Sequence, residues 1–65
     1  MLRRKARDLV EKGCLDEAKT LLSKEPDLPA TRDLWLLLAE RAARDGRFVL
    51  AEYAYKKGLG LGVLW

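Results

Sequence analysis

The sequence predicts an all-α protein in which residues 1–65 form one domain of four short helices, arranged as two antiparallel helical hairpins. Three observations support this prediction. Apolar residues recur at the i, i+3, i+4, i+7 spacing of a helix face on both sides of Gly46. Gly13 and Gly46 each interrupt such a pattern, and Pro26 and Pro29 interrupt it between them. The pattern also repeats within the chain at a constant offset.

The first half of the chain predicts two helices. The first covers Leu2 to Lys12, and Gly13 ends it because glycine adopts the left-handed conformation that closes a helix. The second runs from about Leu15 to Lys24, with carboxylates in its first turn that complement the helix dipole. Its buried face is expected at Leu15, Ala18, Leu21 and Leu22.

The prolines are predicted to separate the second helix from the third. Pro26 and Pro29 lack the amide hydrogen that a helix needs, so they are expected to stop the second helix and leave a short, stiff loop. Thr31 is predicted to cap the third helix through its hydroxyl, with Asp33 in the first turn. This helix is expected to continue to about Asp45.

Gly46 turns the chain into a fourth predicted helix, from about Arg47 to Lys57. Its apolar face is expected at Phe48, Ala51, Ala54, Tyr55 and Leu59. The third helix is apolar on more than one side, so the second and fourth helices are expected to flank it, with Trp35 in the core. The uncharged, glycine-rich tail from Gly58 to Trp65 is expected to fray or extend. It either folds back over the core or docks on another chain.

Size and composition limit the possible functions. The chain has 65 residues, one cysteine (Cys14) and no histidine, which excludes an intrachain disulfide and a zinc cluster; we expect no cofactor and no metal. Below roughly 70 to 80 residues a lone core is seldom sufficient, so self-association or a larger partner is expected. Since no uncharged apolar run is long enough to span a membrane, we expect a soluble, cytoplasmic protein.

Charge is concentrated in the first predicted helix, whose residues account for the whole net charge of +3. The basic residues there are Arg3, Arg4, Lys5, Arg7 and Lys12, against Asp8 and Glu11. Such a helix is compatible with binding RNA, DNA or an anionic membrane surface. A solvated outer face is the favoured interpretation, because no aromatic residue is interleaved to stack on a base.

An internal repeat connects the two halves. At an offset of 33 residues, the separation of Gly13 and Gly46, small residues pair with small residues along the chain. A helix pair repeating at this period is typical of helical solenoids. The second half resembles the tetratricopeptide repeat at Trp35, Leu38, Ala39, Gly46, Ala51 and Tyr55, and the first half at Leu2, Ala6, Leu9, Gly13, Ala18 and Leu22. The chain departs from that motif at Lys5, Ala42 and Val63. An ordinary four-helix bundle is the alternative.

The resemblance implies a solenoid fragment with two repeats, at about residues 2–29 and 32–62, whose first helices line a groove for a peptide or protein. The groove positions implied by the motif are Arg3, Arg7, Val10, Asp33, Leu36, Glu40 and Ala43. Leu36 is expected to act as an apolar anchor and Arg7 as a charged rim. The chain has no asparagine, so a clamp for a peptide's terminal carboxylate is not expected.

The predicted function is that of an interaction module or scaffold. Fewer than three repeats rarely suffice alone, so a homodimer or larger oligomer is expected. Its interface is predicted at Leu37, Leu59, Leu61, Val63, Leu64 and Trp65. The alternatives are a small nucleic-acid binder that uses the basic helix, or part of a longer solenoid. No catalytic residue is predicted, because histidine is absent and Cys14 lacks a basic partner.

Overall fold

The computed structural model describes residues 2–25 and 28–60, with side chains from Arg4 onward. Its four helices are α1 (Leu2–Lys12), α2 (Leu15–Ser23), α3 (Pro29–Arg44) and α4 (Phe48–Gly58). No strand occurs in these described ranges. The all-α prediction is therefore confirmed, and most helix ends lie within about one residue of the predicted ones.

The start of α3 differs from the prediction. Pro29 occupies the first turn of the helix, after Leu28 in an extended conformation, and no side chain caps the end. Thr31 is buried inside the helix, and Asp33 lies beyond the first turn. The amides of a first helical turn have no intrahelical acceptor, so a proline there costs the helix no hydrogen bond. Its fixed φ also favours the helical conformation. Pro29 therefore begins α3, and the prediction of a Thr31 cap was wrong.

Two turns of the same construction separate α1 from α2 and α3 from α4. Gly13 and Gly46 have φ angles of +84° and +78°. In each turn the glycine amide donates to the carbonyl oxygen three residues earlier at 3.1 Å, and the next amide donates to the carbonyl oxygen five residues earlier at 2.8 Å. These bonds satisfy carbonyls that a helix end otherwise leaves unpaired. The predicted role of both glycines is confirmed.

Helix α3 is central to the packing. It contacts α1, α2 and α4, while α1 also contacts α2. This explains why α3 is apolar on more than one side, and Trp35 is buried as predicted. The buried apolar residues are Ala6, Val10, Leu15, Ala18, Leu22, Trp35, Leu38, Ala39, Ala42, Leu50, Ala51 and Ala54. Within the described ranges, no helix is long and apolar enough to cross a membrane.

Small residues bring α4 close to α3. Ala51, Ala54 and Gly58 form most of the buried side of α4. A Cβ atom added to Gly58 would lie 2.6 Å from Cδ2 of Leu36 and 3.1 Å from the carbonyl oxygen of Arg32. The two helices therefore approach too closely at Gly58 for a larger residue to fit without a shift.

Candidate interaction surfaces

One side of α4 is left uncovered by the rest of the described chain. Phe48, Tyr55 and Leu59 are 70%, 40% and 58% exposed, and Glu52 between them is exposed as well. Their i, i+4, i+7, i+11 spacing places the four side chains on the same side of the helix. We call this set (Phe48, Glu52, Tyr55 and Leu59) the α4 stripe.

Two of the equivalent positions in the first half of the chain are buried. At the 33-residue offset, Phe48 corresponds to Leu15 and Tyr55 to Leu22, and both leucines are 1% exposed. Helix α2 packs against both α1 and α3, whereas α4 packs mainly against α3. At Phe48 and Tyr55 the α4 stripe thus has the position of a helix-packing surface, but among the described residues no second helix covers it.

The sequence predicts Phe48, Tyr55 and Leu59 on the same face as Ala51 and Ala54. The structure divides this face, because the alanines contact α3 and the larger side chains point away from it. Residue size is the signal that could have separated them. Small residues permit a close helix contact, and large ones on the far side need a different neighbour.

The α4 stripe carries one charged group and has a basic residue beside it. Glu52 forms an ion pair with Lys56, one helical turn further along α4, with 3.2 Å between Oε1 of Glu52 and Nζ of Lys56. The two side chains remain 70% and 55% exposed, respectively. At such exposure the pair adds little to stability, and both groups are accessible to a partner.

A hollow of about 450 Å³ lies between α1 and α3. It is lined by Arg4, Arg7, Ala30, Asp33, Leu34 and Leu37. A smaller hollow of about 180 Å³ adjoins it at Leu37 and is lined also by Val10, Glu11, Glu40, Arg41 and Arg44. The larger hollow combines an apolar floor with two guanidinium groups, of which Arg7 also pairs with Glu11 at 3.5 Å.

The structure brings some of the predicted groove residues together and separates others. Arg7 and Asp33 line the larger hollow, and Glu40 lines the smaller one. Val10 is buried in the core and reaches only the floor of the smaller hollow, and Ala43 is half-buried against that core. The side chain of Arg3 lies outside the described residues.

Leu36 and Leu37 have different neighbours in the structure. Leu36 lies against Gly58 of α4, whereas Leu37 lines both hollows beside α1. Consecutive residues of a helix point about 100° apart, so the two leucines meet different helices. Leu37, together with Leu34, is therefore the apolar element of the hollow. The role of Leu36 as an anchor stays a prediction.

Among the residues predicted at an oligomer interface, Leu59 is exposed on the α4 stripe. The others on the tail (Leu61, Val63, Leu64 and Trp65) lie outside the described residues. Within the described part of the chain, no group of acidic or cysteine side chains is placed to hold a metal ion.

Comparisons of the chain with family models, with curated proteins and with solved structures found no match. Function is therefore inferred from the surfaces described above.

Proposed function

We propose that this chain is a protein–protein interaction module built from two tetratricopeptide-like helical hairpins, and that it self-associates through α3, α4 and the residues that follow them. One observation carries the proposal. Phe48 and Tyr55 are exposed, although their equivalents Leu15 and Leu22 belong to the core. Stacked repeats bury such residues under the next helix, so an uncovered end favours a partner at that surface.

The arrangement in hairpins is supported by the contacts of the helices. Helix α1 contacts α2, α3 contacts α4, and the turns at Gly13 and Gly46 have the same hydrogen bonds. Both observations agree with one structural unit used twice. A two-unit array has few contacts between units and gains stability when its ends are covered.

Substitution of Phe48 tests the proposed self-association. Phe48→Asp is expected to lower the average molar mass in solution, because burying a carboxylate against apolar side chains is costly. Light scattering behind size exclusion measures this mass. Leu28→Asp is the matched control, since Leu28 is an exposed apolar residue at the start of α3, where aspartate is tolerated. Equal masses for wild type and Phe48→Asp would contradict self-association through this surface.

A second candidate function is peptide binding in the larger hollow between α1 and α3. Leu34 and Leu37 provide an apolar floor, and Arg4 and Arg7 provide two cations against the single carboxylate of Asp33. A segment that carries a large apolar residue next to acidic residues complements this surface in shape and charge.

Fluorescence anisotropy with labelled peptides tests this second function. The probes are peptides with one leucine flanked by glutamates, and the same peptides with lysines. Arg4→Glu combined with Arg7→Glu is expected to weaken binding of the acidic peptides about tenfold or more, while Lys12→Glu on the same helix leaves it unchanged. Binding of both peptide sets with equal affinity would contradict a charge-selective groove.

The alternative function is nucleic-acid binding by α1. Arg4, Lys5 and Arg7 are exposed on this helix, together with the acidic Asp8 and Glu11. Salt-dependent retention on immobilised nucleic acid that is lost in Arg4→Glu would favour the alternative, because each phosphate contact contributes to the salt dependence.

A further inference from the structure

We infer that the α4 stripe is the contact between two copies of this chain, with α4 of one copy antiparallel to α4 of the other, and with Glu52 of each copy beside Lys56 of its partner. The inference rests on the proposed self-association and specifies its geometry. Such a dimer requires a self-complementary surface, because a twofold axis brings the same surface of both copies together.

The α4 stripe is accessible for such a contact. Its apolar members Phe48, Tyr55 and Leu59 are exposed, while the opposite side of α4, with Leu50, packs in the core. The stripe extends over the whole length of the helix. A second α4 laid along it would cover all three apolar side chains at once.

The charged surface of α1 disfavours a head-to-tail arrangement of the copies. In a head-to-tail array, α1 of one copy would cover the α4 stripe of the next. From Arg4 onward, every exposed side chain of α1 is charged. Covering Phe48 and Leu59 with these charges would remove them from water without giving them partners, which is costly. Two α4 stripes instead bring apolar side chains against apolar side chains.

Charge determines the direction of the two helices. Along α4 the order is Phe48, Glu52, Lys56 and Leu59, which is apolar at both ends with an acidic and then a basic residue between them. An antiparallel pair puts Phe48 against Leu59 and Glu52 near Lys56. A parallel pair puts each Glu52 opposite the same residue of the other copy, and like charges at close range are destabilising.

The ion pair already present in each copy agrees with this arrangement. Glu52 and Lys56 lie 3.2 Å apart within one helix, and both are largely exposed. In the antiparallel pair the two acidic and two basic groups of both copies form one alternating cluster. A network of several charges contributes more to association than an isolated surface pair does.

Charge reversal tests the inference without changing the apolar contacts. Glu52→Lys makes both positions basic, and Lys56→Glu makes both acidic. Each variant alone is expected to self-associate about tenfold more weakly than wild type, as measured by sedimentation equilibrium. Mixed together, the two variants are expected to associate with each other about as well as wild type. Mixing cannot restore interactions within one chain, so this rescue reports on contacts between copies.

The controls are Asp8→Lys and Lys5→Glu, the same charge changes at exposed positions of α1. Neither is expected to alter self-association, and circular dichroism verifies that all variants remain helical. Self-association that is unaffected by Glu52→Lys and Lys56→Glu would overturn the inferred geometry, while the proposed self-association would stand. A wild type that stays monomeric at every concentration would overturn both. Peptide binding by the hollow between α1 and α3 would remain open in that case.

Discussion

The ring of Tyr53 joins α4 to the edge of the core. It meets the ring of Trp35 edge to face, with centroids 5.6 Å apart and planes at 68°. The ammonium group of Lys19, from α2, lies 4.7 Å from the centroid of the Tyr53 ring. Edge-to-face and cation–π contacts of this kind each contribute about 0.5 to 1.5 kcal/mol beyond the burial of area. One partly exposed ring thus connects three helices.

Truncation of Tyr53 is expected to lower stability, and removal of its hydroxyl is not. Tyr53→Ala removes the ring contacts with Trp35, Lys19 and Lys57 and part of the buried area, so the free energy of unfolding should fall by about 2 kcal/mol. Tyr53→Phe keeps the ring and should change it by less than about 0.5 kcal/mol. Urea denaturation measures both values. Equal losses in the two variants would show that the hydroxyl, rather than the ring, makes the contact that matters.

At the scale of elements, α4 is held by close packing on α3. The ion pair between Arg47, at the start of α4, and Asp16 of α2 is short, at 2.6 Å, but its side chains are 43% and 78% exposed. Such a pair contributes about 0 to 1 kcal/mol and weakens in salt. The tight approach at Gly58 against Leu36 is the stronger constraint on the position of α4.

Gly58→Ala is expected to lower the free energy of unfolding by about 1 kcal/mol. The added methyl group overlaps Leu36, at a cost of about 2 kcal/mol, while alanine gains about 1 kcal/mol in helix propensity. Urea denaturation again provides the measurement.

A Leu36→Ala background provides the control, because the overlapping side chain is then absent. There the same Gly58→Ala change is expected to cause no loss. A loss of equal size in both backgrounds would show that Gly58 is required for another reason.

Sequence patterns predicted the four helices, and only the start of α3 differs by more than about one residue from the prediction. Gly13 and Gly46 made two of the turns predictable. Each turn needs a left-handed residue and two hydrogen bonds, and both depend only on residues close in sequence. Pro29 was misassigned, since the same missing amide that ends a helix also suits the first turn of the next. Whether a proline ends one helix or begins the next depends on the residues that follow it, so the proline alone does not decide between the two roles.

At the scale of the whole molecule, the exposed surfaces were harder to predict than the core. Periodicity identified Phe48 and Tyr55 as apolar helix residues but did not show which neighbour covers them. That depends on α4 packing mainly against α3, which is a property of the assembled fold. Leu37 lines the hollow beside α1, and its predicted place at an oligomer interface stays a prediction.

The exposed apolar side chains of the α4 stripe are a large loss of buried surface for a chain this small. Sixty-five residues supply only a small core, yet Phe48 and Leu59 remain exposed on one side of α4. Covering that side with a second copy would enlarge the buried apolar surface of both chains at the same time. Association and stability are then coupled, because a partner that binds only the folded chain also stabilises it.

The most direct test of self-association is the average molar mass of the wild-type protein across a dilution series, measured by light scattering. Self-association predicts a reversible change from the 7.4 kDa of a single chain towards twice that mass as concentration rises. A mass of 7.4 kDa at every concentration would contradict it.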